Sequence, residues 1–361
     1  MKHYKFKIFY LLLFFILFIL QLKGYAYNNY SIGIINEILS QIEIEDSDFK
    51  TKITRIYFKI KILQGNFKNK EVEIKETLSG SPYEVIPKKG IKVVIDLDEL
   101  PNGQIRAEII DYYRGDNLLI QTCFFIIIFI IVVGIKNIKS LLWVIITILL
   151  LFLILIPGSK IGINLIFLTI VIGIISLIIG SFFYLGVNKR AWCVIFSSIS
   201  GFLITSLIAI FLNRSLNLGF LTKDTMLLNP ELFNKISPQT LFISGIIIGI
   251  LGIIICLNVL IINDFIYLKK GNNNLTRRII FLGLMKKGQK YISVLGSIIL
   301  FLYLGNILSV LFSLSKEFPL SYLFNLDFVV MNTTNTLTIL IGIILTLPIM
   351  SFITSRMLVK K

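Results

Sequence analysis

Polar side chains are rare in the long apolar segments of this chain, and those few are its candidates for chemistry. Asn258 lies deep in one apolar segment, and Ser297 and Asn306 lie in the next. An unpaired amide in hydrocarbon costs several kcal/mol, so Asn258 must find hydrogen-bond partners. We interpret Asn258, Ser297 and Asn306 as a candidate intramembrane polar path. The other interpretation is a hydrogen bond between helices, the more usual role of such a group.

Ionisable side chains are absent from the middle of every long apolar segment after residue 117. Such residues mark proton relays and ion paths, so their absence argues against a self-contained proton-coupled pump and an intramembrane protease. The single histidine, His3, precedes any folded segment, which excludes a Ser-His-Asp triad. Cys123, Cys193 and Cys256 all lie in apolar runs. We therefore predict that the chain is not an enzyme and holds no metal, cofactor or disulfide framework.

Three glycines share one apolar segment at helical spacing. Gly245, Gly249 and Gly252 stand at positions i, i+4 and i+7. Glycines four residues apart let two helix backbones approach closely, so we predict that this face packs against another helix. The alternative is that the glycines form a thin wall beside a substrate path.

Composition identifies the class of protein. The 361 residues are 56% hydrophobic and 16% charged, whereas soluble domains are about 45–50% apolar and about 25% charged. The apolar excess begins near residue 119, which excludes a soluble enzyme and a nucleic-acid-binding protein despite the net charge of +16. We expect a polytopic membrane protein whose first partner is the lipid bilayer.

The first third of the chain divides into a leader and a small domain. Residues 1–26 have a basic start, a short apolar run and small residues near a possible cleavage point, which is typical of a signal peptide or signal anchor. The length of the apolar run leaves both open. Residues 27–117 are charged and rich in turn signals. Alternating apolar and polar residues predict strands, with residues 30–40 as a further strand or a short helix, in a small antiparallel barrel or sandwich.

Residues 118–361 are predicted to form a bundle of seven membrane spans. The spans are bounded by charges and turns at 118–135, 140–156, 161–187, 191–212, 241–262, 291–314 and 335–355. Residues 263–290 are predicted to form a basic loop, in which 275–285 could be an amphipathic helix along the membrane surface. If the amino terminus faces the cytoplasm, the inner segments carry 17 Lys and Arg residues and the short outer loops carry 5. The positive-inside rule therefore predicts an extracytoplasmic domain at 27–117 and a cytoplasmic carboxyl terminus.

The order of leader, small β-domain and seven spans resembles the YibE/F-like membrane proteins of bacteria. Gly65-x-x-Lys68-Asn69 is similar to a G-x-x-K-G segment of that family, with Asn69 where glycine is usual. The stretch 111–114 (DYYR) resembles its D-Y-x-R entry to the first span. The glycines at 245–252 and the stretch 345–349 (LTLPI) resemble its glycine-rich span and its final L-T-x-P-I.

The resemblance implies a permease-like protein of the bacterial cytoplasmic membrane, with an unknown substrate. This chain is a divergent member, because acidic positions of the family fall at Cys256 and Lys290 and an amide position falls near Ser297. We expect a second polytopic membrane protein to complete a two-component assembly. The alternative is a non-transporting scaffold or sensor that anchors the extracytoplasmic domain.

Overall fold

The computed structural model of the chain describes residues 30–45, 52–78, 85–99, 105–134, 138–214, 216, 237–271, 276–315 and 318–359. The predicted leader, residues 1–26, lies outside this range. The chain forms two compact units that divide near Val133. Among the described residues, the first contains a β-sheet and one helix, and the second contains the remaining helices.

The β-sheet has five strands: β1 Tyr30–Glu45, β2 Lys52–Ile62, β3 Glu71–Leu78, β4 Lys92–Glu99 and β5 Ile105–Tyr112. All neighbouring strands are antiparallel, in the order β3-β2-β1-β4-β5. The first three strands form a meander and β4 returns beside β1, which is a Greek key. The outer strands β3 and β5 also approach each other, so the sheet curls into a half-barrel. The predicted antiparallel β-domain is confirmed, and residues 30–40 form a strand, not a helix.

The core of the sheet follows from the alternation of the strands. Ile56, Phe58, Ile60 and Ile62 of β2 are buried on one face, because successive side chains of a strand point to opposite faces. The turn after β2 places Asn69 at φ 68°, in the left-handed region that favours glycine and tolerates asparagine. This explains how asparagine can stand where the resembled motif has glycine.

Nine helices complete the described chain: α1 Gly115–Val133, α2 Lys139–Leu150, α3 Ile156–Lys160, α4 Leu165–Leu185, α5 Lys189–Arg214, α6 Pro238–Gly271, α7 Arg277–Leu314, α8 Leu320–Leu323 and α9 Asp327–Leu358. A π-helical turn, Leu151–Leu155, joins α2 to α3 without a break. Seven helical segments are long and apolar enough to span a membrane, with α2 and α3 counted as one. The predicted number of spans is confirmed for the part of the chain that the structure describes.

The predicted basic loop at 263–290 is largely helical. Helix α6 continues to Gly271 and α7 begins at Arg277, so only a short connection separates them. The helices have 34 and 38 residues, or about 51 and 57 Å at 1.5 Å per residue, against a hydrocarbon thickness of about 30 Å. The prediction of a loop was wrong because charge marks a membrane boundary and does not end a helix, whereas most of the possible helix at 275–285 is indeed helical, as the start of α7. Lysine and arginine are good helix formers.

Helices α4, α5, α6 and α9 form the centre of the second unit. About half of the most apolar stretch of each is buried, whereas the corresponding buried share of α7 is 11%. Helix α5 packs on α9 and α6, α4 packs on α5 and α6, and α7 packs on α9 and α6. Ile250, Ile254, Phe202 and Ile343 are among the side chains of the central apolar core.

Candidate functional site

Asn258 lies where α6 contacts α5. Its side chain is fully buried, and its Nδ2 donates a hydrogen bond to Ser198 Oγ over 2.8 Å. Its Oδ1 has no hydrogen-bond partner in the described chain. The amide therefore joins two helices through its donor and leaves one buried acceptor available.

Buried hydroxyl groups line α5 and α9 in the interior of the second unit. We call this set the hydroxyl seam; its members are Ser197, Ser198, Thr205, Ser206, Thr338, Thr346, Ser351 and Thr354. Two glycines let the helices approach closely: a Cβ at Gly201 would overlap Thr346, and a Cβ at Gly342 would overlap Thr205. Ser197 Oγ also donates to Met350 Sδ over 2.9 Å.

Most seam hydroxyls donate within their own helix. Thr205 Oγ1 donates to the carbonyl of Gly201, and Thr346 Oγ1 donates to that of Gly342, each over 2.7 Å. Their oxygens keep lone pairs that can accept a further hydrogen bond. Other buried oxygens of the central helices have no partner among the described residues, namely Ser244 Oγ, Ser351 Oγ, Asn213 Oδ1 and Asn335 Oδ1. The interior thus offers acceptors that a polar solute or water could use.

The other two candidates of the polar path lie elsewhere. Ser297 and Asn306 are exposed on α7. Ser297 Oγ donates to the carbonyl of Val294 over 2.8 Å. In the described chain no hydrogen bond joins either residue to Asn258, whose amide bonds toward α5. The structure therefore does not bring the three predicted residues together.

The predicted packing glycines face outward from the second unit. Gly245, Gly249 and Gly252 are exposed, and a Cβ at any of them would have no neighbour within 4 Å. No described helix uses this face. Among the described residues, the glycines at close helix contacts include Gly158, Gly173, Gly180, Gly201, Gly288 and Gly342.

One buried carboxylate was not among the predicted site residues. Asp264 of α6 is 8% exposed. Its Oδ1 lies 3.1 Å from Lys287 Nζ, and its Oδ2 accepts from Tyr291 Oη over 2.8 Å, both on α7. Asp264 falls in the predicted basic loop and alone does not predict an enzyme site, although its neighbours Ile262 and Phe265 are apolar and indicated continued burial. The three side chains connect α6 to α7 at the ends of the predicted apolar spans.

The motif at residues 111–114 forms a compact turn before α1. Asp111 Oδ2 accepts from Arg114 Nη1 over 2.7 Å, and its Oδ1 accepts from the backbone N–H of Tyr112 over 2.7 Å. The hydrogen bond from Arg114, followed by that from Tyr112, lowers the pKa of Asp111, and the same carboxylate raises the pKa of Arg114. These contacts are local and exposed, which indicates a structural role.

Metal binding has no candidate site within the described ranges. No three His, Cys, Asp or Glu side chains there lie close enough together to hold an ion. Cys193 is buried, and Cys123 and Cys256 are exposed.

Comparison with known proteins places most of the chain in one family. The family model described as YibE/F-like protein matches residues 121–360. The match begins inside α1, so the five-stranded sheet precedes it. No curated protein matches the chain. No solved structure matches it either.

Proposed function

The chain belongs to the YibE/F-like family of membrane proteins, and we propose that it is a permease-like protein for an uncharged polar solute. One observation carries this proposal: the Asn258 amide is fully buried at the hydroxyl seam with its oxygen unpaired. An unsatisfied buried acceptor costs about 1–3 kcal/mol. A solute or water that pairs with it during passage would give this group a function.

The charge distribution supports an uncharged solute. The described carboxylates of α2–α9 are Asp264 and Asp327, and Asp264 is paired with Lys287. Among the described residues, the side chain bonded to Asn258 is the uncharged Ser198, which would not neutralise a charged solute. The side chains that face the proposed path carry amide and hydroxyl groups, which match hydroxyl, amide or carbonyl groups on a solute.

A second polytopic membrane protein remains part of the proposal. The exposed Asn306 has no hydrogen bond that the structure shows, and an amide facing lipid is costly. Small polar residues follow it on the exposed surface of α7, at Ser309 and Ser313. A helix of a second protein would give these groups partners. Asn306→Leu should therefore weaken recovery of that protein with the purified chain.

The orientation is also a proposal. The predicted inner segments carry seventeen Lys and Arg residues and the short outer loops carry five. This difference supports a cytoplasmic carboxyl terminus and an extracytoplasmic sheet. A tag placed at Asn272, in the short α6–α7 connection, should stay unlabelled by an impermeant reagent in intact cells. Labelling of this tag would show that the orientation is the reverse of the proposed one.

Thiol accessibility tests the polar path without knowledge of the solute. In a variant with Cys123, Cys193 and Cys256 replaced by alanine, Ser198→Cys introduces a near-isosteric thiol beside Asn258. A small hydrophilic thiol reagent applied to membranes should label this position. Ile254→Cys is the matched control, since Ile254 of α6 is as fully buried as Ser198 of α5 but lies in the apolar core. Equal protection of both thiols would contradict the proposed path.

The second candidate function is a membrane scaffold or sensor without transport. It is favoured by the seam hydroxyls that already donate to carbonyls of their own helices, as in a dry, tightly packed interior. In that case the bundle anchors the β-domain, and both test thiols stay protected. For either function we propose no catalytic activity, because the seam carries no ionised acid, base or activated nucleophile.

A further inference from the structure

An open groove lies where the start of α5 meets the end of α9. It is lined by Lys189, Trp192 and Phe196 of α5 and by Met357 of α9, and its volume is about 480 Å³. This is within the range of about 300–1,000 Å³ for small-molecule sites. Trp192, Phe196 and Met357 are each about half exposed. The groove therefore has a long apolar wall and one ammonium group at its end.

Aromatic contacts hold the wall of the groove in place. The rings of Trp192 and Phe182 of α4 are 5.8 Å apart in an edge-to-face arrangement. The rings of Trp192 and Phe196 are 5.9 Å apart. Trp192 stands three residues from the start of a candidate span, and tryptophan is enriched where acyl chains meet headgroups. The apolar wall therefore lies at the depth where an acyl chain begins.

The charges at the rim select the headgroup. Lys189 lies in the groove and Arg190 beside it is exposed. The part of α5 that the structure describes has no carboxylate, and the buried Asp264 is paired with Lys287. A phosphate near Lys189 therefore meets positive charge that no described acid of α5 offsets.

We propose that this groove binds one anionic phospholipid. Its phosphate lies at Lys189, and its acyl chain lies along Trp192, Phe196 and Met357. A concave surface from two helices contacts one chain on several sides, unlike the convex surface that most surrounding lipid meets. This inference does not depend on transport by the chain.

The fluorescence of Trp192 provides the test. The sequence contains two tryptophans, and Trp143 is buried, with its Nε1 donating to Ser176. The full chain is reconstituted in vesicles with increasing fractions of brominated phosphatidylglycerol or brominated phosphatidylcholine. The signal of the Trp192→Phe variant, which reports Trp143 alone, is subtracted. This difference isolates Trp192 without altering the buried tryptophan.

We expect brominated phosphatidylglycerol to quench Trp192 with about fivefold higher apparent affinity, the factor that about 1 kcal/mol from one lysine near an anionic lipid provides. Lys189→Gln should remove this preference, and Lys290→Gln, at an exposed lysine of α7 outside the groove, should keep it. Equal quenching by both lipids would overturn the proposal, because it would show that Trp192 contacts the surrounding lipids without selection. A preference that survives Lys189→Gln would also overturn it.

Discussion

The α5–α9 interface and the open face of α6 contain similar small residues in opposite surroundings. At the interface, Gly201 and Gly342 leave no room for a Cβ. On α6, Gly245 and Gly249 have the same four-residue spacing that allows close helix contact, yet no neighbour lies within 4 Å of their Cβ positions. Spacing therefore describes the shape of a helix face and does not tell whether a partner occupies it.

The difference arises because close packing needs two complementary faces. Gly201 of α5 meets Thr346 of α9, and Gly342 of α9 meets Thr205 of α5, so each helix supplies both a glycine and a hydroxyl. No described helix offers a matching face to the α6 glycines. Residues of one type should therefore respond differently to substitution in buried and in open surroundings.

The glycines give the largest expected difference. Gly201→Ala places a methyl group against Thr346 and should lower the free energy of unfolding by about 1–3 kcal/mol. Gly249→Ala adds a methyl group in open space and should raise it by about 0.5–1 kcal/mol, because alanine favours a helix over glycine. The midpoints of thermal unfolding in mild detergent, followed by tryptophan fluorescence, should fall in Gly201→Ala and rise in Gly249→Ala. A loss of stability in Gly249→Ala would show that its face is occupied.

The acidic residue Asp264 gives the next largest effect. Asp264→Asn removes the ion pair with Lys287, and we expect the free energy of unfolding to fall by about 1–2 kcal/mol. This is below the cost of about 3–5 kcal/mol for breaking a fully buried pair, because the Lys287 side chain is 42% exposed. The reversed pair Asp264→Lys with Lys287→Asp should recover part of the loss in the same unfolding measurement. No recovery would contradict an electrostatic role.

The two asparagines give a smaller difference. Asn258→Leu loses the hydrogen bond to Ser198 and should cost about 0.6–1.7 kcal/mol, the range for polar contacts between membrane helices. Asn306→Leu removes an exposed amide from an apolar surface and should leave the purified chain as stable or more stable. The midpoints of thermal unfolding of both variants measure this contrast. A larger loss at Asn306 would show that it has a partner in the purified protein.

The fold was more predictable than the site. Strand alternation and long apolar runs predicted the sheet and the seven spans because each pattern is local and repeats along the element. Asn258 was predicted to need a partner, but Ser198 could be identified only once α5 and α6 were seen to be neighbours. The apolar neighbours of Asp264 indicated its burial, but its pairing with Lys287 could be identified only once α6 and α7 were seen to be neighbours.

The smallest expected effect concerns an exposed carboxylate, Asp111, in contrast to the buried Asp264. The hydrogen bond from Arg114, and then that from the backbone of Tyr112, lowers the pKa of Asp111 below its ordinary value of 3.8. A lowered pKa stabilises the fold at pH values above the ordinary value, and this contribution is lost as the pH falls through the lowered pKa. Between pH 5 and 8, about one to four units above that ordinary value, we expect Asp111 to cause no change in the stability of the fold.

Carboxyl ¹³C NMR of the chain in detergent should give a titration midpoint for Asp111 below 3.8, and Arg114→Gln should raise this midpoint toward that value. An unchanged midpoint in Arg114→Gln would show that the turn, and not the guanidinium, sets the pKa of Asp111.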